Sequence, residues 1–516
     1  MSRLRRAAVV ASFSYLQYAL AIASGILLVP LTLHHLGART YGLWLASGEL
    51  LGYAAMVDLG VVGVLPWMLA EADGRGDRNG MRALVVNGLL VGLACGIGYA
   101  LLATALWAAL PSVFTLAEAD RQALRGPLAL LVLVTMVVYP LRVFSAVITG
   151  LQDVAFNGVL TVTQNLVAIA VTVLLLVNGY GLFAPACAAA ASSLLTVVAA
   201  LVRTSRIAPD LLRGWPRPSR DRLRSLLSNG VGVWFGAFGW QLLAASNGLV
   251  ITAIGRPEWV AVWACTSKLT SMATQLTWVM PDAGLVGLAQ IHGEGRGAAR
   301  LRPLVLMLLR LHLLLAGGAA CGLLVFNPAF VVRWVGADLF GGLRLNALFA
   351  MGIVAYSFIH GLLTAAAVVG NRIRVGAVTL ANGALQVGCA WALGRVWGLP
   401  GIAVAGLLIG LGLAVPAGAL LLRPATALTM GMLWGELVRP WLLRAAPLLF
   451  LSGASGLLYR ELGVPGTLVL GASVGLAYVW HMRPMYVGLP FDDRISRWLV
   501  SLRLVPAPPV TPMKGA

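Results

Sequence analysis

The chain has 516 residues, 59% of them apolar and only 11% charged, and carries a net charge of +19. A normally charged water-exposed surface cannot be built from that mixture, so a soluble enzyme is excluded and lipid must be the main solvent. The basic residues sit in short gaps between apolar runs rather than on one soluble face, which argues against nucleic acid as a partner and makes the charge a marker of topology.

The apolar runs are about 20 residues long and apolar on every face, which fits helices crossing a hydrocarbon core of ~30 Å and not the alternating strands of a barrel. The expected fold class is an all-α integral membrane protein of about 14 transmembrane helices. Six spans are predicted at 10–33, 42–70, 83–110, 127–149, 154–177 and 181–202. The first is read as retained, because it is longer than a signal-peptide core and no small-x-small cleavage site follows it. Residues 203–228 hold seven arginines with Pro209, Pro216 and Pro218 and read as a basic cytoplasmic linker. Six more spans follow at 229–254, 258–288, 304–326, 343–369, 375–394 and 401–422, and two last ones near 441–458 and 466–480.

The expected organisation is an N-terminal six-helix lobe (1–202), the linker (203–228), a C-terminal six-helix lobe (229–422), two additional helices (423–482) and a cytoplasmic tail (483–516). With the N-terminus inside, inner loops hold roughly 25 Lys or Arg and outer loops about 7, which places both termini in the cytoplasm of a cell with this protein in its inner membrane. Two groups of the same orientation are expected to be parallel repeats, with substrate at the seam between them. One local match fits: Leu36 and Gly37 followed by Tyr41 align with Ile254 and Gly255 followed by Trp259.

Polar residues recur at helical spacing in several spans: Ser14, Gln17 and Ser24 in the first, Tyr139, Arg142 and Thr149 in the fourth, Asn157, Gln164 and Thr172 in the fifth, Asn382 and Gln386 in the eleventh. Such faces line a hydrophilic cavity or hydrogen-bond between helices. Four stripes spread over both halves favour a cavity. In the eighth span Lys268, Ser271, Gln275 and Asp282 share a face, and Lys268 lies roughly ten residues from either end, too deep for easy snorkelling. It calls for an anionic ligand or for an ion pair with Glu49 or Asp58. Arg142 and Arg310 lie nearer the cytoplasmic ends of their spans. Glu49 and Asp58 sit on opposite sides of one helix, so both cannot line one seam. His312 and His360 are either proton carriers or histidines bonded in place. Glu49, Asp58, Asp282, His312 and His360 are thus the candidates for ion coupling.

The five cysteines lie inside apolar runs without CxxC spacing, so no metal is expected. Trp240, Trp263 and Trp278 are deep enough to stack on sugar rings or simply to pack. Pro140, Pro281 and Pro416 fall inside spans, where a helix can bend. There is no Walker loop, HExxH or GxSxG, so no cofactor, no ATP hydrolysis and no catalytic residues are expected.

Leu36, Gly37, Tyr41, Gly42 and Trp44, then Asp58, Leu59 and Gly60, then Gly150, Leu151 and Gln152, then Lys268, Leu269 and Pro281 follow one another in the order seen in bacterial polysaccharide flippases. Over roughly residues 8–422 the chain resembles this O-antigen and exopolysaccharide family of the multidrug, oligosaccharidyl-lipid and polysaccharide exporter superfamily. It departs at Asn247, where many relatives carry an acidic residue. The resemblance implies two six-helix lobes that alternate access and move a polyprenyl-diphosphate-linked oligosaccharide across the inner membrane, with membrane lipids and a polysaccharide polymerase or export machinery as partners. A polar cavity would take the sugars, and buried cations such as Lys268 or Arg142 the diphosphate. Competing readings are a multidrug cation exporter of the same superfamily, a major-facilitator transporter suggested by the residues from Gly74 to Arg82, and a membrane glycosyltransferase using Glu118, Asp120 or Asp338.

Overall fold

The computed structural model describes residues 3–113, 117–294, 297–486 and 489, and every regular element among them is a helix. In chain order these are α1 (Arg3–Ala55), α2 (Val61–Gly74), α3 (Arg78–Val113), α4 (Glu118–Gly150), α5 (Val154–Val177), α6 (Phe183–Ile207), α7 (Arg220–Ala244), α8 (Asn247–Ala253) and α9 (Glu258–Thr266). There follow α10 (Lys268–Ala283), α11 (Leu285–Gly293), α12 (Ala298–Val335), α13 (Gly342–Val369), α14 (Arg372–Trp397), α15 (Leu399–Thr426), α16 (Met430–Leu458) and α17 (Gly463–His481). This is an all-α, multi-pass membrane protein. The tail beyond Leu489 lies outside the described residues.

Among the described residues, ten helices are long and apolar enough to cross a membrane, or up to eleven if the pair Ile22–Asp58 and Val61–Gly74, bent by 45°, is one span. The ten coincide with the predicted third to sixth and ninth to fourteenth spans. The prediction of unbroken spans fails at the second, seventh and eighth, while the first, 10–33, lies inside continuous helix. There α1 runs from the first span into the second with only Gly37 (φ 74°, ψ 162°) non-helical, and it stops at a 3-10 turn, Met56–Asp58, before Leu59 and Gly60 at φ 48° and 76°. The seventh span breaks between α7 and α8, and the eighth at Ser267 and again at Gly284, where Pro281 has removed a backbone donor one turn earlier. Apolar composition alone does not register such breaks, because the residues that make them are few and small.

Two compact units emerge: Met1–Val262 with Thr379–Val396, and Trp263–Val378 with the chain from Trp397 onward. Within the first, α3 meets α4 along Gly88, Gly92 and Gly96, spaced by four so that they share one helix face. A Cβ on Gly92 would lie 2.6 Å from the Pro140 Cα and 2.9 Å from the Tyr139 carbonyl oxygen, so the two backbones touch there. Around this contact Leu69, Met81, Leu84, Tyr139 and Ile148 are sealed from solvent. In the second unit α12 and α13 are central, with 56% and 61% of their most apolar stretches buried, whereas only 11% of that of α17 is. The linker is short and anchored: Arg82 Nε donates to the Asp210 carbonyl (2.8 Å), and the Ser219 amide to buried Asn87 (3.2 Å).

Gly92→Ile should therefore force α3 off α4. The expected outcome is a loss of monodisperse protein in detergent and a melting temperature well below that of the control Leu93→Ile, made at the exposed position next to it, read by size exclusion and thermal unfolding.

Candidate functional site

Inside a bilayer a freed backbone group has no water to turn to, so each break must be rebonded by side chains. At the α1–α2 break three successive carbonyls are taken: Ala55 accepts from the Tyr139 hydroxyl (2.7 Å), Met56 from Trp234 Nε1 (2.7 Å) and Val57 from the Cys95 thiol (3.8 Å). Asp58 Oδ1 accepts the Gly60 amide (3.0 Å) at the start of α2. At the α7–α8 break Glu49 accepts the amides of Gly248 (3.0 Å) and Leu249 (2.9 Å), while the Tyr53 and Ser246 hydroxyls pair with each other. At the α9–α10 break the Thr266 carbonyl accepts from Asn327 Nδ2 (2.9 Å), which also donates to Asn346 Oδ1 (2.8 Å). Glu49 and Asp58, ambiguous in the sequence, both hold broken helices together.

Lys268 opens α10, half-buried, and among the described residues no carboxylate lies within 4 Å of it. Gln275, on the same helix, is exposed, and Arg310 is half-buried on α12.

Two cavities lie inside the first unit. The smaller, about 20 Å³, has room for one water and is lined by Asp58, Cys95, Tyr139 and Arg142 among apolar residues. The larger, about 650 Å³, falls in the size range of small-molecule sites and is walled by α2, α4, α5 and α6. Arg142 faces both, its guanidinium 4.6 Å from the centre of the Tyr139 ring. Among the described residues it has no carboxylate within 4 Å. Its neighbours in the larger wall are Ser145, Gln164, Asn165, Ser193 and Thr196, with Gln164 Oε1 accepting from the Thr196 hydroxyl at 2.5 Å. The buried Ser145 hydroxyl has no partner.

The structure thus brings together Arg142 and Gln164, from the fourth and fifth spans. The sequence reasoning missed the sixth, whose Ser192, Ser193 and Thr196 spacing carried the same signal. Asn382 and Gln386 line neither cavity. They are 2% and 5% exposed on α14, where Gly383 packs against Gly239 and Leu242, so that stripe belongs to a helix contact. The Gln17 side chain lies outside the described residues. Asp282, His312 and His360 gather in the second unit, with His360 Nε2 3.0 Å from Asp282 Oδ2 and its ring stacked on Trp278. Trp263 packs edge-on against Phe349 instead of standing free for a sugar.

Two of the three acidic residues that an enzyme reading would use, Asp120 and Glu118, lie beside arginines. Arg39 pairs with Asp120 (2.8 Å) and Glu258 (2.6 Å), whose hydrogen bonds raise the guanidinium pKa above its ordinary value, and Glu118 sits 3.5 Å from Arg121. Asp77, the acidic residue of the facilitator-like loop, accepts the Gly80 amide (2.7 Å) in the first turn of α3.

No protein-family model matches the chain, and no curated protein sequence matches it. Solved structures do. The lipid II flippase MurJ in an inward closed conformation aligns with a TM-score of 0.65 at 12% identity, covering 92% of this chain and 98% of that one. An inward-facing multidrug resistance MATE family transporter of the MOP superfamily aligns at 0.62 and 16%, covering 80% and 95%. A MOP superfamily transporter from Pyrococcus furiosus, described as having a binding pocket of reverse polarity, aligns at 0.52 and 17%, covering 81% and 93%. The fold is therefore like that of these transporters.

Two outcomes follow from the geometry. Tyr139→Phe leaves the Ala55 carbonyl unbonded and should lower stability by about 1–3 kcal/mol, seen as a lower unfolding temperature in detergent. In a cysteine-free background, Ser193→Cys should react with a water-soluble thiol reagent while Gln386→Cys stays protected, scored by mass shift; equal labelling at both positions contradicts the cavity.

Proposed function

We propose that the chain is a flippase of the bacterial inner membrane, with both termini cytoplasmic, that exports a polyprenyl-diphosphate-linked oligosaccharide by alternating access of two six-helix lobes joined by the basic linker. The observation that carries this reading is Arg142: a guanidinium with no carboxylate within 4 Å among the described residues, Asp58 being its nearest acidic neighbour across the small cavity, on the wall of a large cavity whose other polar groups are hydroxyls and amides. Burying such a charge is costly unless an anion meets it, and a planar guanidinium matches a diphosphate bidentately. Hydroxyl- and amide-bearing side chains suit sugar hydroxyls. Lys268, another membrane-embedded cation without a near carboxylate, is the second candidate for the diphosphate. The likeness to a lipid II flippase supports a lipid-linked substrate.

A multidrug exporter is the second reading, favoured by the likeness to MATE transporters. It would need a carboxylate free to meet a cationic drug. Glu49 is committed to two backbone amides, and Asp58 shares its small cavity with Arg142. The polarity of the cavity therefore favours an anionic headgroup.

With surface levels held normal, Arg142→Ala should reduce polymer export by about 10- to 100-fold, the loss that corresponds to one charge-assisted contact. Arg142→Lys should recover part of it, because charge remains but the bidentate fork does not. Export unchanged in Arg142→Ala would remove the basis of the proposal.

A further inference from the structure

In the second unit Asp282, His312 and His360 come from α10, α12 and α13, and one ligand-type atom of each lies within 4.8 Å of the others. His312 is 1% exposed; its Nδ1 lies 2.9 Å from the Leu308 carbonyl, and its Nε2 is buried with no partner. A hydrogen bond from Nδ1 to a backbone carbonyl fixes the tautomer that leaves a lone pair on Nε2, the arrangement found in metal-binding histidines. His360 is held by stacking instead. Its ring stacks on Trp278 at 4.0 Å with an 8° tilt, and Trp278 in turn donates from Nε1 to the Ser357 hydroxyl, which also pairs with Thr277. A buried acceptor left bare between fixed rings, beside a carboxylate, calls for a proton, a water or a cation.

We propose that Asp282, His312 and His360 form a binding site for a divalent transition-metal ion of the zinc class, with a fourth position open. Two imidazoles and one carboxylate suit borderline ions such as Zn²⁺ or Co²⁺, whereas Na⁺, Mg²⁺ and Ca²⁺ favour all-oxygen sets. The distances fit. Metal–ligand bonds of ~2.0–2.1 Å at a tetrahedral centre separate ligand atoms by roughly 3.3 Å. His360 Nε2 and Asp282 Oδ2 are already 3.0 Å apart, so an ion replaces their hydrogen bond with little movement, and the ligand atom of His312 lies within 4.8 Å of both. The side chain of Asp282 is 37% exposed and that of His360 19%, so the carboxylate is the least enclosed of the three ligands. The ion would bind whatever the cavity of the first unit carries, so the site stands apart from the export reading.

The full chain, purified in detergent and stripped with a chelator, is titrated with Co²⁺ and then Zn²⁺. About one Co²⁺ per chain should bind, with the intense visible absorption of four- or five-coordinate cobalt, and Zn²⁺ but not Mg²⁺ should displace it. Asp282→Asn, His312→Gln and His360→Gln should each weaken binding by roughly tenfold or more, a loss that even an outer-shell partner carries. His34→Asn with His35→Asn removes an adjacent exposed pair of histidines and should leave binding intact. Failure of the wild-type protein to take up cobalt overturns the proposal without any variant having to fold. So does binding of equal strength in the three ligand variants, or its loss in the His34 and His35 variant.

Discussion

The structure depends on the absence of water at the membrane interior. A helix that breaks there exposes amides and carbonyls that cost several kcal/mol each if left bare, so a break is tolerated only where neighbouring helices supply donors and acceptors in the right place. At the α1–α2 break this draws Tyr139 from α4, Trp234 from α7 and Cys95 from α3 onto three successive carbonyls. The requirement therefore also fixes packing. Tyr139, which bonds Ala55, lies where α3 and α4 touch at Gly92, and Arg142, three residues on, is placed in the cavity wall by the same helix.

What the sequence made legible follows from that logic. Length and apolarity are averaged over many residues, so each of the ten continuous helices overlaps a predicted span, with ends that differ by up to 11 residues, as at Met430–Leu458 against 441–458. Breaks depend on one or two residues whose conformation is decided by partners far away in the chain, as Glu49 decides the fate of Gly248 and Leu249. No local pattern announces them, although Gly37 and Gly255 did mark two turns, both at positive φ. Stripe reasoning gave mixed results for a related reason. A polar face must avoid lipid, but avoidance is satisfied equally by a cavity, as at Gln164, and by a close helix contact, as at Asn382 and Gln386. Spacing alone cannot separate the two, because both put the same residues on one face.

The candidate site was legible in its charges more than in its location. Arg142 and Lys268 were conspicuous because a cation deep in an apolar run is rare, and both stand without a carboxylate within 4 Å among the described residues. Their carboxylate counterparts were conspicuous too, yet Glu49 and Asp58 serve the backbone. That division leaves the cavity of the first unit with a positive wall and uncharged polar surroundings, the inverse of what a cationic cargo needs and a match for an anionic headgroup bearing hydroxyls.

The breaks are not spread evenly. Among the described residues they fall in the predicted second span and in the seventh and eighth, while the remaining spans are continuous. A span held by side-chain bonds across a break has a second way to satisfy its backbone, by closing up its own helical bonds and releasing the side chains. Both arrangements bond the same polar groups, so the difference between them is smaller than the cost of breaking an intact helix, and a modest bias suffices to exchange one for the other. Membrane transport by alternating access needs elements of this kind next to rigid ones. Continuous helices packed through glycine contacts are of the rigid kind, and the interrupted second, seventh and eighth spans are of the kind that two backbone arrangements can satisfy.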